Sequence, residues 1–186
     1  MLSLIIPTRR KGETLKRCLD SVAEHTSDYE LVVVDGQGGF AKKLNQGIKQ
    51  AKGDYLIFLH DDCEVTRGWT NVLAEVGAFC LGERNDSFHS WGGFVNPPDY
   101  CNDPSLNPDY AYFCCIAKKA MKKIGLLDEK FVNPFYQDVD FGLQVKKAGY
   151  KYHCLPGKII HHNGEDSGAP DERQRFYLER KWGVKL

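Results

Sequence analysis

The sequence predicts an α/β protein with a mostly parallel central sheet flanked by helices. Residues 2–7, 30–35 and 54–59 are short runs rich in β-branched and aromatic side chains, apolar throughout rather than alternating. That is the pattern of strands buried on both faces. Between them, residues 13–25 place Leu15, Leu19, Val22 and Ala23 at helical spacing, and residues 40–52 alternate lysines with apolar residues at a helical period, with Gly53 as a stop. Strands alternating with helices call for a parallel sheet covered on both sides. At 186 residues and 42% hydrophobic, the chain is large enough to bury a core and is read as one domain.

The remaining elements follow the same logic. Residues 67–81 read as a helix. Residues 96–109 are turn-rich, with Pro97, Pro98, Pro104 and Pro108, and read as a long loop over the sheet. A strand is expected over 110–116, a short helix over 117–124 and a helix over 137–148. Residues 150–160, interrupted by Pro156-Gly157, read as two short strands. A charged helix is expected over 171–182.

Composition removes several classes of function. Lys+Arg and Asp+Glu both number 25, and this balance excludes the basic field of a nucleic-acid coat. The apolar runs are too short to span a bilayer, and residues 1–7 carry no basic segment or cleavage site of a secretory signal. The 7 cysteines form no CxxC pair, which argues against a thiolate zinc cage and for reduced thiols in a cytoplasmic protein.

Ligands of an open parallel sheet bind beyond the carboxyl ends of its strands. Those ends read Pro7-Thr8-Arg9, Asp35-Gly36 and His60-Asp61-Asp62. Gly36-Gln-Gly-Gly39 is a flexible turn but not the dinucleotide fingerprint, and no P-loop occurs. Asp35 alone is as readily a cap or turn residue. Adjacent carboxylates such as Asp61 and Asp62 repel each other, a conflict that a hard cation such as Mg²⁺ or Mn²⁺ resolves, although a solvated turn pair has the same letters. Asp138 and Asp140 open a helix, where acids complement the macrodipole; one beside a pocket is also a good general base. His161 and His162 follow an apolar strand, so one of the two faces any site beside it.

The order of these signals is more specific than any one of them. Ile5-Ile-Pro-Thr8, Val32-Val-Val-Asp35-Gly36, Asn45-Gln-Gly47 and the stretch 51–62 running into His60-Asp61-Asp62 resemble the nucleotide-sugar half of family 2 glycosyltransferases, which have the GT-A fold. Phe113-Cys-Cys-Ile-Ala-Lys-Lys with residues 124–131 resembles the acceptor-side segment of that family. Gln137-Asp138-Val-Asp140 resembles its base motif, and His161-His-Asn-Gly164 its late histidine ligand.

The resemblance implies a nucleotide-sugar half over about 1–95 and a compact acceptor and base half over about 96–186. It implies that Thr8 and Asp35 hold the base and ribose, with Pro7 shaping the turn and Asp61 and His60 near the ribose. Asp62 and His161, or alternatively His162, would bind Mn²⁺ or Mg²⁺. Asp138 would be the catalytic base, with Asp140 second. Lys42, or alternatively Lys43, is expected to reach a phosphate, on charge alone. The implied activity is inverting transfer of a sugar from a nucleoside-diphosphate sugar to a hydroxyl of a glycan, lipid-linked or other acceptor, with no nucleic-acid partner and no integral membrane segment. Two departures stand out: His60 occupies a position where the family has an acid, and Gln137 one where it has Glu. The competing readings are a sugar-phosphate nucleotidyltransferase and a sugar-nucleotide or glycan-binding module without turnover.

Overall fold

The computed structural model describes residues 1–9, 12–70, 87–90, 114–132, 135–149, 151–154, 159–161 and 171–185. In chain order its elements are β1 (Leu2–Pro7), α1 (Glu13–His25), β2 (Tyr29–Val34), α2 (Phe40–Gln50), β3 (Tyr55–Phe58), β4 (Cys63–Val65), β5 (Ser87–Ser90) and β6 (Cys114–Ala117). A 3-10 turn (Lys118–Ala120) then leads into α3 (Met121–Ile124), followed by α4 (Gln137–Lys147), β7 (Lys151–Cys154), β8 (Ile159–His161) and α5 (Glu172–Trp182).

The main sheet has 6 strands in the order β2-β1-β3-β6-β5-β7. Parallel pairs join β1 to β2, β1 to β3 and β5 to β7. Strand β6 alone is reversed, antiparallel to both β3 and β5. The sheet is therefore mostly parallel, as expected. A second ladder of 2 strands, β4 with β8, lies apart from it.

Strand β1 occupies the middle of the parallel half, and all 6 of its residues are buried. Its alternation feeds two cores. Leu2, Leu4 and Ile6 face Leu15, Cys18 and Val22 of α1, together with Cys63, Val65, Trp69 and Ile159. Ile5 faces the other way, toward Leu44 and Ile48 of α2, Ile124 of α3 and Phe141 and Val145 of α4. The one polar residue inside this strand, Ser3, is satisfied: its hydroxyl donates to Glu30 and accepts from the Gly53 N–H at 2.8 Å.

Strand β2 departs from the fully buried run that the sequence predicts. It is the edge strand, and only its α2 side is covered: Val32 and Val34 are buried, whereas Leu31 and Val33 are 41% and 36% exposed. The strand expected over 110–116 is described as β6, and the helix expected over 117–124 splits into the 3-10 turn and α3. Residues 67–70 are turns, while the rest of the helix expected over 67–81, and the loop of 96–109, lie outside the described residues.

Candidate active site

The carboxyl ends of β1, β2 and β3 lie side by side, because the three strands are neighbours running in one direction. Pro7 pairs with Val34, and the Thr8 N–H donates to the Val34 carbonyl at 2.9 Å, so β1 and β2 end together. This registers buried Thr8 beside exposed Asp35. Beyond β3 follow His60, Asp61 and Asp62, all half-buried. The His60 ring meets Phe40, the first residue of α2, edge-on at 4.9 Å, and its Nδ1 lies 4.0 Å from Asp62 Oδ1.

Helix α2 turns the two candidate lysines differently. Lys42 is exposed and lies over Gly38, where an added Cβ would come within 2.8 Å of its Cδ. Lys43 is the lysine turned to the strand ends. It is 3% exposed and its Nζ donates to the Thr8 carbonyl at 2.6 Å. Burial, then Arg9, holds its pKa below the ordinary lysine value, against the opposing pull of Asp61 and Asp35. An ammonium has three N–H donors, so one bond to Thr8 leaves capacity for a ligand oxygen.

The rim also carries concentrated negative charge. The buried Cys18 thiol is pushed up to about 12 by burial, then by Asp61 and Asp62. Cys63 is pushed well above its ordinary value by burial, then by Asp62. Burial is the larger cause in both, and the carboxylates add to it; two adjacent acids of this kind are suited to a divalent cation by their oxygen donors. Across the β4–β8 ladder, Cys63 pairs with His161, so the backbone puts His161 next to the residue that follows Asp62. The imidazole of His161, together with residues 162–170 and hence His162, lies outside what is described. Among the described residues, no three His, Cys, Asp or Glu side chains form a complete metal-binding group. The oxygen donor of Asp62 and the proximity of β8 nevertheless fit Mn²⁺ or Mg²⁺ by donor chemistry.

The chain before α4 is anchored to this rim. Gly39 abuts the backbone of Val132: a Cβ there would lie 2.8 Å from the Val132 carbonyl oxygen and 3.0 Å from its Cα. Six residues further into α2 than Gly39, Asn45 (1% exposed) reads a backbone as another backbone would. Its Oδ1 accepts from the Leu127 N–H, and its Nδ2 donates to the Leu127 carbonyl and to Glu129 Oε1, each at 2.9 Å. Sequence reasoning assigns Asn45 no such task, although its place in the Asn45-Gln-Gly47 signature is the available signal.

Helix α4 begins after Tyr136, whose φ of 71° is left-handed. A bulky residue held there is strained, and such strain clusters at functional sites. The acids of the first turn then diverge. Asp138 is partly exposed, and burial pushes its carboxyl up to about 6, against its own N–H and that of Val139. Asp140 is 1% exposed and saturated. Its Oδ1 accepts from Trp182 Nε1 and pairs with Lys181 Nζ, both at 2.7 Å, and its Oδ2 accepts from Gln144 Nε2 at 2.7 Å. Among the described residues, no side chain engages the Asp138 carboxyl as Trp182, Lys181 and Gln144 engage Asp140. Gln137 is buried, and its Oε1 meets no hydrogen-bond donor among the described residues.

Comparison with known proteins gives these positions a context. Residues 36–76, spanning the glycine turn, α2, β3 and the acid pair, match the family model described as glycosyl transferase family 2. A PGL/p-HBAD biosynthesis glycosyltransferase of Mycobacterium bovis is 32% identical over 123 residues, 51% of this chain and 47% of that protein. The chain spans about a quarter to about half of the length of the curated relatives it matches. A crystal structure of S. aureus TarS 1-349 in complex with UDP-GlcNAc superimposes with a TM-score of 0.72 at 16% identity, covering 97% of this chain and 64% of that one. The mannosyltransferase PcManGT from Pyrobaculum calidifontis, in complex with GDP-Man and Mn²⁺, gives a TM-score of 0.66 at 13% identity over 89% of this chain and 57% of that one. These likenesses show the fold, which is GT-A. Among the described residues, no helix is long and apolar enough to cross a membrane.

Proposed function

We propose that the chain is a family 2 glycosyltransferase, the family whose model matches residues 36–76, and that it transfers a sugar from a nucleoside-diphosphate sugar to an acceptor hydroxyl by one inverting displacement. The observation that supports this reading is the acidic rim at the ends of neighbouring strands β1, β2 and β3, to which the chain leading into α4 is anchored through Gly39 and Val132, with the Asp138 carboxyl raised by burial at the start of that helix. Such a carboxyl is tuned toward neutral pH, where proton transfer to it is effective. The nucleotide sugars held in the two similar solved structures, UDP-GlcNAc and GDP-Man, support a nucleotide-sugar ligand without choosing within the class.

In this reading Thr8 and Asp35 hold the base and ribose, with Pro7 fixing the turn and Asp61 at the ribose. Lys43 rather than Lys42 supplies the cationic contact, because only Lys43 lies against the strand ends. Asp62 and His161 would hold a Mn²⁺ or Mg²⁺ ion, which when bound offsets charge on the leaving diphosphate. Asp138 takes the proton from the acceptor hydroxyl as that oxygen attacks the anomeric carbon and the bond to the diphosphate breaks. Attack opposite the leaving group inverts the anomeric centre. Asp140 serves the fold, since its oxygens are already engaged. The described free thiols, Cys18, Cys63 and Cys115, are buried, which supports a reducing, cytoplasmic setting.

The test is calorimetric titration of nucleoside diphosphates with and without Mn²⁺, on the native chain and on Asp62→Ala. The proposal expects a binding increment with Mn²⁺ that the variant loses. Identical isotherms in all four experiments would remove the donor-site assignment.

A further inference from the structure

We propose that helix α5 is the positioning clamp of the base, with Lys181 and Trp182 holding the first turn of α4 so that Asp138 meets the acceptor hydroxyl. The proposal rests on the assignment of Asp138 as base. The two residues that follow Asp138 are both locked to α5. Val139 (5% exposed) shares an apolar cluster with Phe131 and with Leu178 of α5, flanked by Tyr136, Leu143, Tyr177 and Trp182. Asp140 takes the Trp182 indole N–H and the Lys181 ammonium at 2.7 Å each. Asp138 is thus placed by its neighbours' contacts.

The clamp reaches further. Lys181 Nζ also lies 2.8 Å from Asp128 Oδ2, which accepts from the Tyr177 hydroxyl at 2.8 Å as well. Asp128 follows Leu127, the residue gripped by Asn45 of α2. One ammonium therefore ties the turn carrying the base to the loop anchored on the nucleotide half. Burial works against the charge of Lys181, yet Asp128 and Asp140 outweigh it and keep the ammonium's pKa above the ordinary value. Lys147 of α4 adds a second cation over the Trp182 ring, at 5.7 Å. A buried ion pair of this kind is often no more stabilising than apolar packing of the same shape, so its use is better sought in fixing geometry.

Two variants test this. Trp182→Phe keeps an aromatic ring and removes the N–H. The double variant Asp140→Asn with Lys181→Met removes the ion pair at Asp140, while Asp128 keeps the Tyr177 hydroxyl and the Lys130 N–H as donors. Both are measured for transfer rate, for nucleoside-diphosphate affinity and, by ¹³C carboxyl NMR, for the titration midpoint of Asp138. A clamp predicts a kcat at least tenfold lower with affinity unchanged within twofold. It also predicts an Asp138 midpoint moved by half a pH unit or more, and Lys181→Arg close to native. Native rates and an unmoved midpoint would overturn it, as would affinity falling in step with kcat. Asp138→Asn is assayed alongside. Turnover retained there removes the base assignment, while the NMR midpoint still decides whether α5 places Asp138. Should one variant fail to fold, the other decides the question.

Discussion

Asp138→Asn should abolish transfer and, above pH 6, make the protein harder to unfold. The carboxyl is raised from an ordinary 3.8 to about 6, with burial as the cause. A raised folded-state value means that the unfolded chain holds fewer protons than the native one between those two pH values, so native stability falls as pH rises across that window. Each pH unit of separation is worth about 1.4 kcal/mol, which makes the burden about 3 kcal/mol at most once Asp138 is ionised. An amide carries no charge to desolvate and escapes it. Urea unfolding of native and variant chains at pH 4 and pH 8 isolates the effect, because every other group is shared. The gap in favour of Asn should be near zero at pH 4 and about 2–3 kcal/mol at pH 8. In the same pH series the native transfer rate should climb toward pH 6 and level off, while the variant falls about a hundredfold or more. A stability gap independent of pH would show that the carboxyl is not held up by its surroundings, and the argument for a tuned base would go with it.

Lys43→Met should weaken nucleoside-diphosphate binding about tenfold, the size of one charge-assisted hydrogen bond, while Lys42→Met leaves titration curves unchanged. Asn45→Ala removes three hydrogen bonds and strands the buried Leu127 N–H, so the urea midpoint should report a loss of about 3 kcal/mol. Gly47→Ala would put a methyl 2.2 Å from Ile5 Cγ2 in the middle of the sheet. Overpacking there should cost about 1–3 kcal/mol, read as a lower melting temperature.

Helix α1 was legible to the residue, β1 from an apolar run closed by Pro7, and the two short late strands β7 and β8 from a stretch broken by Pro156-Gly157. What escaped was whatever depends on a third element. Leu31 and Val33 look as buried as Val32 in sequence, and only the edge position of β2 separates them. Lys42 and Lys43 are chemically equal, and the phase of α2 against the sheet exposes the first and buries the second. Asp138 and Asp140 share one helical turn, and the distinction comes from α5, about 40 residues on. That helix reads as a charged, solvated surface, which most of it is; yet Lys181 and Trp182 meet a carboxylate that is 1% exposed. Strands β4 and β8 are 3 residues each, and Glu64 and His161 blur any period, so their pairing left little trace.

The backbone-to-backbone seam of Gly39 against Val132 has an evolutionary corollary. A seam with no side chain between its walls tolerates no insertion and no larger residue on the glycine side. Recombining the first part of this chain with the second part of a distant cousin would therefore misalign the two halves unless both walls, and the asparagine beside them, travelled together. On the proposed function, changes in ligand preference would then be expected to arise by point substitution on either side of the seam, rather than by exchange of whole segments.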